Sequence, residues 1–212
     1  VDLTLNAGLT PSFVNTVKTQ ADAEQWFKSR MPKGHSLRHV SFIDWNDFPI
    51  EFVRHDYPNK VPGTNPEAIF RQFWMFQQVN KIRQQYGPYD LVFRTRADAI
   101  IYNTIDFEKI HAVLKNEKQR LVIASNNRQG RSWCDTFAIG APEAMDVYAS
   151  AVDSFNDLYD KGVTMHPENI VSHVLADKGL YWLDDGITAN LRQLGRYLTP
   201  HFVAGQKYYE PN

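Results

Sequence analysis

Cysteine is nearly absent from this sequence: Cys134 stands alone among 212 residues. No intrachain disulfide can form, and no cysteine-based metal site can be assembled. The pattern is unlike a disulfide-stabilised secreted module, so a reducing, cytoplasmic setting is expected. No stretch approaches the roughly 20 apolar residues of a membrane span, so no transmembrane segment is expected. No basic-then-apolar leader opens the chain either. Charge of one sign is not in excess: 23 Lys and Arg face 24 Asp and Glu, for a net charge of −1. That balance argues against a nucleic-acid partner held through its phosphates.

Several chemical signatures are missing too. The patterns Gly-x-x-x-x-Gly-Lys, Gly-x-Gly-x-x-Gly, Gly-x-Ser-x-Gly and His-Glu-x-x-His do not occur. Their absence argues against P-loop nucleotidases, dinucleotide oxidoreductases, serine hydrolases and zinc proteases. His111, His173 and His201 show no metal-ligand spacing with one another. Aromatic residues, by contrast, make up 13% of the chain. A large core accounts for them, and sugar-binding surfaces also use aromatic faces. The length suits one α/β domain over residues 1–212, with a piece of a longer chain as the alternative suggested by the Val1 start.

Strand and helix patterns alternate along the chain. Residues 1–7 alternate apolar and polar, and Gly8, Thr10 and Pro11 then lead into a short helix. A second helix is expected over 21–30 with Trp26 and Phe27 inward, then a strand over 37–43 that ends in Asp44. An acid at that place suits a ribose hydroxyl, and a solvated turn equally well. A short strand is expected over 50–53 and a loop over 54–65. Asn65-Pro66-Glu67 is a strong helix start, and an apolar stripe runs from Ile69 to Ile82 before Gly87-Pro88 stops it. Further helices are expected over 106–116, 141–160 and from His166-Pro167-Glu168 onward, with strands over 120–124, 133–140 and 181–183. The order predicts a mixed, mostly parallel sheet flanked by helices.

The segment Tyr89-Asp90-Leu91-Val92-Phe93-Arg94-Thr95-Arg96-Ala97-Asp98 is the centre of the pattern. Its apolar run suits a buried strand. Arg94, Arg96 and Asp98 recur at every second residue, which places all three on one face if the strand continues. Such charges fit a crevice beyond the carboxyl end of a strand, where open α/β sheets bind ligands. Arginines grip phosphate oxygens by forked, charge-assisted bonds, and an aspartate beside phosphates can hold Mg²⁺ or Mn²⁺. An Arg–Asp pair closing the strand end fits equally. Asp135, just before an apolar strand, suits a general base or a turn cap. Glu168 and His166 suit either a helix start or an acceptor or metal contact.

Three of these segments resemble a group of polysaccharide-synthesis glycosyltransferases. Residues 89–98 are similar to that group's Tyr-Asp-hydrophobic-hydrophobic-Arg-x-Arg-x-Asp segment. Asp135-Thr136-Phe137-Ala138-Ile139-Gly140, followed by Glu143, Met145 and Tyr148, resembles its Asp-x-Phe-Ala-Ile-Gly segment, and His166-Pro167-Glu168 also matches. The likeness spans roughly 70–179. It implies a GT-A-like (Rossmann-like) fold that transfers a hexose or deoxyhexose from a nucleotide-sugar donor to a glycan acceptor, often with Mn²⁺ or Mg²⁺. In that fold the metal usually sits on an Asp-x-Asp motif at a strand end. Arg96 stands where its first carboxylate would be, so Asp98 alone corresponds to the metal-binding aspartate. The expected roles are therefore Asp98 for metal; Arg94, Arg96 and Asp44 for the donor; Asp135 and Glu168 for catalysis. A non-catalytic nucleotide- or carbohydrate-binding domain is the alternative. A sugar-phosphate nucleotidyltransferase is disfavoured, since its glycine-rich, cation-bearing start is missing.

Overall fold

The longest element, helix Pro66–Tyr86, begins where its capping residues dictate. In the computed structural model, Asn65 Oδ1 accepts the Glu67 N–H at 3.0 Å and Pro66 fills a position that needs no donor. This helix, α2, buries Ile69, Phe70 and Phe73, and it ends at Gly87 before Pro88. The residues described are 2–4, 18–31, 33, 37–41, 43, 47–54, 56–57, 64–95, 99–101, 105–118, 120–122, 137–182 and 191–193.

Ahead of α2, strand β1 (Asp2–Thr4) pairs in parallel with β2 (His39–Ser41). Between them helix α1 (Gln20–Lys28) starts at a capping box, in which Thr19 and Asp22 each satisfy the other's backbone N–H. Its buried residue Ala23 meets Val40, and Trp26, Phe27 and Leu37 are half-buried around them.

After α2 comes a sheet of four strands: β3 (Val92–Thr95), β5 (Arg120–Val122), β6 (Phe137–Gly140) and β7 (Tyr181–Trp182), in the order β3-β6-β5-β7. A separate two-stranded ribbon joins β4 (Ala99–Ile101) antiparallel to β8 (Leu191–Gln193). Helix α3 (Phe107–Asn116) is capped by Asp106, whose carboxylate accepts the Lys109 N–H at 2.9 Å, and it buries Ile110 and Leu114. Helices α4 (Pro142–Ala149), α5 (Phe155–Asp160) and α6 (Pro167–Asp177) follow β6.

The chain is thus mixed α/β. The expected mostly parallel sheet is not what the described strands form. β6 runs antiparallel to both β3 and β5, and only β5 and β7 pair in parallel within that sheet. The run Phe137–Gly140 is buried at all four positions. A strand covered on both faces has the same composition in either direction, so its connections, not its residues, set the direction.

Two further expectations are corrected, and one strand had none. The strand over 50–53 is a 3-10 turn, Ile50–Phe52, closed by Val53 N–H to Ile50 O at 3.0 Å. The turn lets Phe48 and Val53 both reach the core, which an extended segment with their odd spacing would prevent. The helix over 141–160 is interrupted by a 3-10 stretch, Ser150–Ser154, where the Ser150 hydroxyl donates to Val147 O instead of staying in solvent. Strand β8 has no clear sequence signal, since its partner β4 lies some ninety positions away.

The core is aromatic and sits between the sheet and its helices. Phe155 packs edge-on against Phe70 at 4.4 Å and Phe73 at 5.3 Å between ring centres. Phe137 meets Phe93 at 4.9 Å. Many of the abundant aromatics are therefore spent on packing. Asp146 of α4 pins that helix to α2, accepting from Asn80 at 2.8 Å, from Gln84 at 3.0 Å and from Arg83. Gly140 is required by closeness, because a Cβ there would run into the Leu121 side chain and crowd Met145.

Candidate functional site

The register of β3 against β6 decides which chain segments meet at the sheet's edge. Thr95, the last residue of β3, lies directly opposite Phe137, the first of β6. Val122, the last residue of β5, lies opposite Ile139 of the same strand. Strand β7 runs the same way as β5. The ends of β3, β5 and β7 and the start of β6 therefore share one edge. Arg96 follows Thr95 in sequence, and Asp135 precedes Phe137 by two positions.

Of the six residues singled out by sequence, Arg94 and Glu168 have described surroundings. Asp44, Arg96, Asp98 and Asp135 lie outside the described residues. Arg94 turns toward the helices. Its guanidinium carbon lies 3.4 Å from the centre of the Phe76 ring on α2, and Nη1 donates to the Tyr148 hydroxyl of α4 at 3.4 Å. Tyr148 is only 1% exposed. A cation on the negative face of an aromatic ring is stabilised there, so Arg94 helps to hold the sheet to both helices.

Glu168 sits in the first turn of α6, one residue after the proline that opens it. Its Oε2 is buried and lies 2.5 Å from Nδ1 of His166. The two side chains differ in exposure, 14% for Glu168 and 38% for His166, so the carboxylate is inside and the ring faces outward. His166 occupies the cap position of α6 in an extended conformation, with φ −149°, and its side chain makes no capping hydrogen bond. The sequence reading of His166 as a side-chain cap is thereby replaced by a close histidine–carboxylate contact.

Sequence reasoning missed two features. A cavity of about 380 Å³ opens beside the outer face of α2, lined by Ile43, Asp47, Trp74, Gln78, Lys81 and Ile82 among others. Ile43 and Asp47 bracket Asp44 in the chain. His39 forms a second cluster: Nε2 contacts Ser41 Oγ, and Nδ1 lies 3.1 Å from Tyr86 Oη. The spacing of His39 and Ser41 on one strand face foreshadows the first contact, while Tyr86 is brought in by the end of α2.

Perturbed acidities lie elsewhere. Burial pushes the Tyr57 hydroxyl well above its ordinary value, although the nearby Arg54 opposes the shift. The Tyr159 hydroxyl is raised first by its hydrogen bond to the Asp56 carboxylate, at 2.7 Å. Both belong to a patch joining α5 to the segment before α2, where Arg54 also pairs with Asp160 at 2.9 Å. Among the described residues, no group of three or more His, Cys, Asp or Glu is placed to hold a metal ion. Among the described residues, no helix is long and apolar enough to cross a membrane.

Comparison with family models, with curated proteins and with solved structures finds no match.

Proposed function

We propose that this chain is a glycosyltransferase of GT-A type, which moves a sugar from a nucleoside diphosphate to a hydroxyl of a glycan acceptor. The observation that carries the reading is the opposition of Thr95 and Phe137, which makes the two motif-bearing segments leave the sheet from one edge. Crevices at the carboxyl ends of strands are where α/β sheets take ligands. In this reading the departing diphosphate is balanced by a divalent cation on Asp98, by the Arg96 guanidinium, or by both. A single carboxylate completed by substrate phosphates is an ordinary arrangement for Mg²⁺. Asp135 serves the acceptor side as base or acceptor contact, and Asp44 serves the donor's ribose. Arg94 contributes to the same edge by anchoring β3 to α2 and α4.

The test is a panel of UDP-, GDP- and dTDP-sugars assayed for transfer and for hydrolysis, with Mn²⁺ or Mg²⁺ added and with chelator. Turnover of one donor is expected, with Asp98→Asn lowering kcat by about a hundredfold or more at saturating donor. Full activity of Asp98→Asn would remove the metal and diphosphate assignment. Donor binding by calorimetry without any turnover would instead favour a non-catalytic nucleotide-binding domain.

A further inference from the structure

The contact between His166 and Glu168 has the build of a base and its positioning partner. Glu168 Oε2 is buried 2.5 Å from Nδ1, close but not aligned as a hydrogen bond, while the His166 ring is the more exposed of the two. A carboxylate this close favours the proton on Nδ1, which leaves Nε2 as the nitrogen with the lone pair. The carboxylate stands in the first turn of α6, an 11-residue helix whose N-terminus favours negative charge. The cap residue His166 is extended and its ring is not consumed by capping.

The fold sets the pair toward the edge described above. Helix α6 ends in a tight reversal: Gly179 adopts φ 67°, and Leu180 N–H donates to Leu175 O at 2.8 Å. Strand β7 starts directly afterwards, at Tyr181. The C-terminus of α6 thus lies where β7 begins. A helix of this length spans about 16 Å, and the turn makes it run back against the direction of β7, so His166 and Glu168 lie at its end on the side toward which β7 runs.

We infer that His166 removes the proton from the attacking acceptor hydroxyl, with Glu168 as its positioning residue; this rests on the glycosyltransferase reading and deepens it. The acceptor oxygen bonds to the donor's anomeric carbon as the bond from that carbon to the diphosphate breaks. The electron pair leaves with the diphosphate, and the hydroxyl proton passes to His166 Nε2 and then to solvent. Glu168 is then not the base itself, and Asp135 is left to bind the acceptor.

Two measurements on the full chain decide it. In ¹⁵N-labelled protein, long-range proton–nitrogen correlation should show neutral His166 protonated at Nδ1, and Glu168→Gln should move the proton toward Nε2. With whichever UDP-, GDP- or dTDP-sugar the wild type turns over, His166→Gln should lower kcat about 10²- to 10⁴-fold with donor KM little changed. Glu168→Gln should lower it roughly 10- to 100-fold, and Glu168→Asp should recover part of the loss. A wild-type His166 protonated at Nε2, or a His166→Gln enzyme within twofold of an active wild type, overturns the inference. A wild type silent with every donor overturns the glycosyltransferase reading instead, and the role of His166 falls with it.

Discussion

Helices Gln20–Lys28 and Pro66–Tyr86 start by the same chemistry and end in very different surroundings. Each is opened by a side chain that accepts a backbone N–H, Thr19 in one case and Asn65 in the other. The first then packs a single buried alanine against Val40. The second lays Ile69, Phe70 and Phe73 into an aromatic core shared with Phe155 and Tyr148. Capping decides where a helix begins, whereas tertiary burial decides how much it contributes.

Three substitutions test that contrast, from the largest expected effect to the smallest. Phe73 is fully buried and touches the rings of Phe76 and Phe155. Phe73→Ala should cost about 3–5 kcal/mol in urea denaturation of the whole chain. A loss below about 1 kcal/mol would mean that the core tolerates a void there and that the contrast is weak. Val40, also fully buried, packs with Ala23 among Trp26, Phe27 and Leu37, apart from the main aromatic core. Val40→Ala removes two methylene equivalents, for about 2 kcal/mol, and the loss should read out locally. Amide exchange should quicken across Gln20–Lys28 while residues around Phe73 keep their protection. Equal quickening in both places would show one cooperative unit.

The smallest effect concerns the capping box. Asp22 is held below the ordinary carboxylate value by the Lys18 N–H, then by the Thr19 hydroxyl and N–H. A lowered folded-state value means that the stabilisation is present above the ordinary value of about 3.9 and is lost as pH falls through the folded one. Helicity of Gln20–Lys28 should therefore decline on acidification below pH about 4. In Asp22→Asn that decline should vanish, as followed by backbone chemical shifts. A pH response unchanged in the variant would assign the effect to another group.

Local features were legible in the sequence because their causes are local. Asn65-Pro66, Asp106 and Pro142 open helices where expected, and Ile110 and Leu114 face inward. The apolar run ending at Gly140 is a strand, as its composition implies. The direction of that strand was not legible, nor was the 3-10 turn at Ile50 or the partner of β4. Each depends on chain that is distant in sequence. Arg94 makes the same point for the candidate site. Its charge suggested a ligand, but its described partners, Phe76 and Tyr148, come from two helices on either side of it in the chain. Glu168 is a site residue only by expectation from the sequence, while its contact with His166 depends on the side-chain conformations.

By itself the sequence determined helix starts such as Asn65-Pro66 and Asp106 and the buried strand Phe137–Gly140, because caps and periodicity act within a few residues, while the strand Val92–Thr95 expected to be buried is only half-buried. Tertiary structure alone decided that β6 runs against its neighbours, that Thr95 faces Phe137, and that Arg94 lies under an aromatic ring. Those outcomes follow from contacts between distant segments, where burial and register select among arrangements that local chemistry leaves equal.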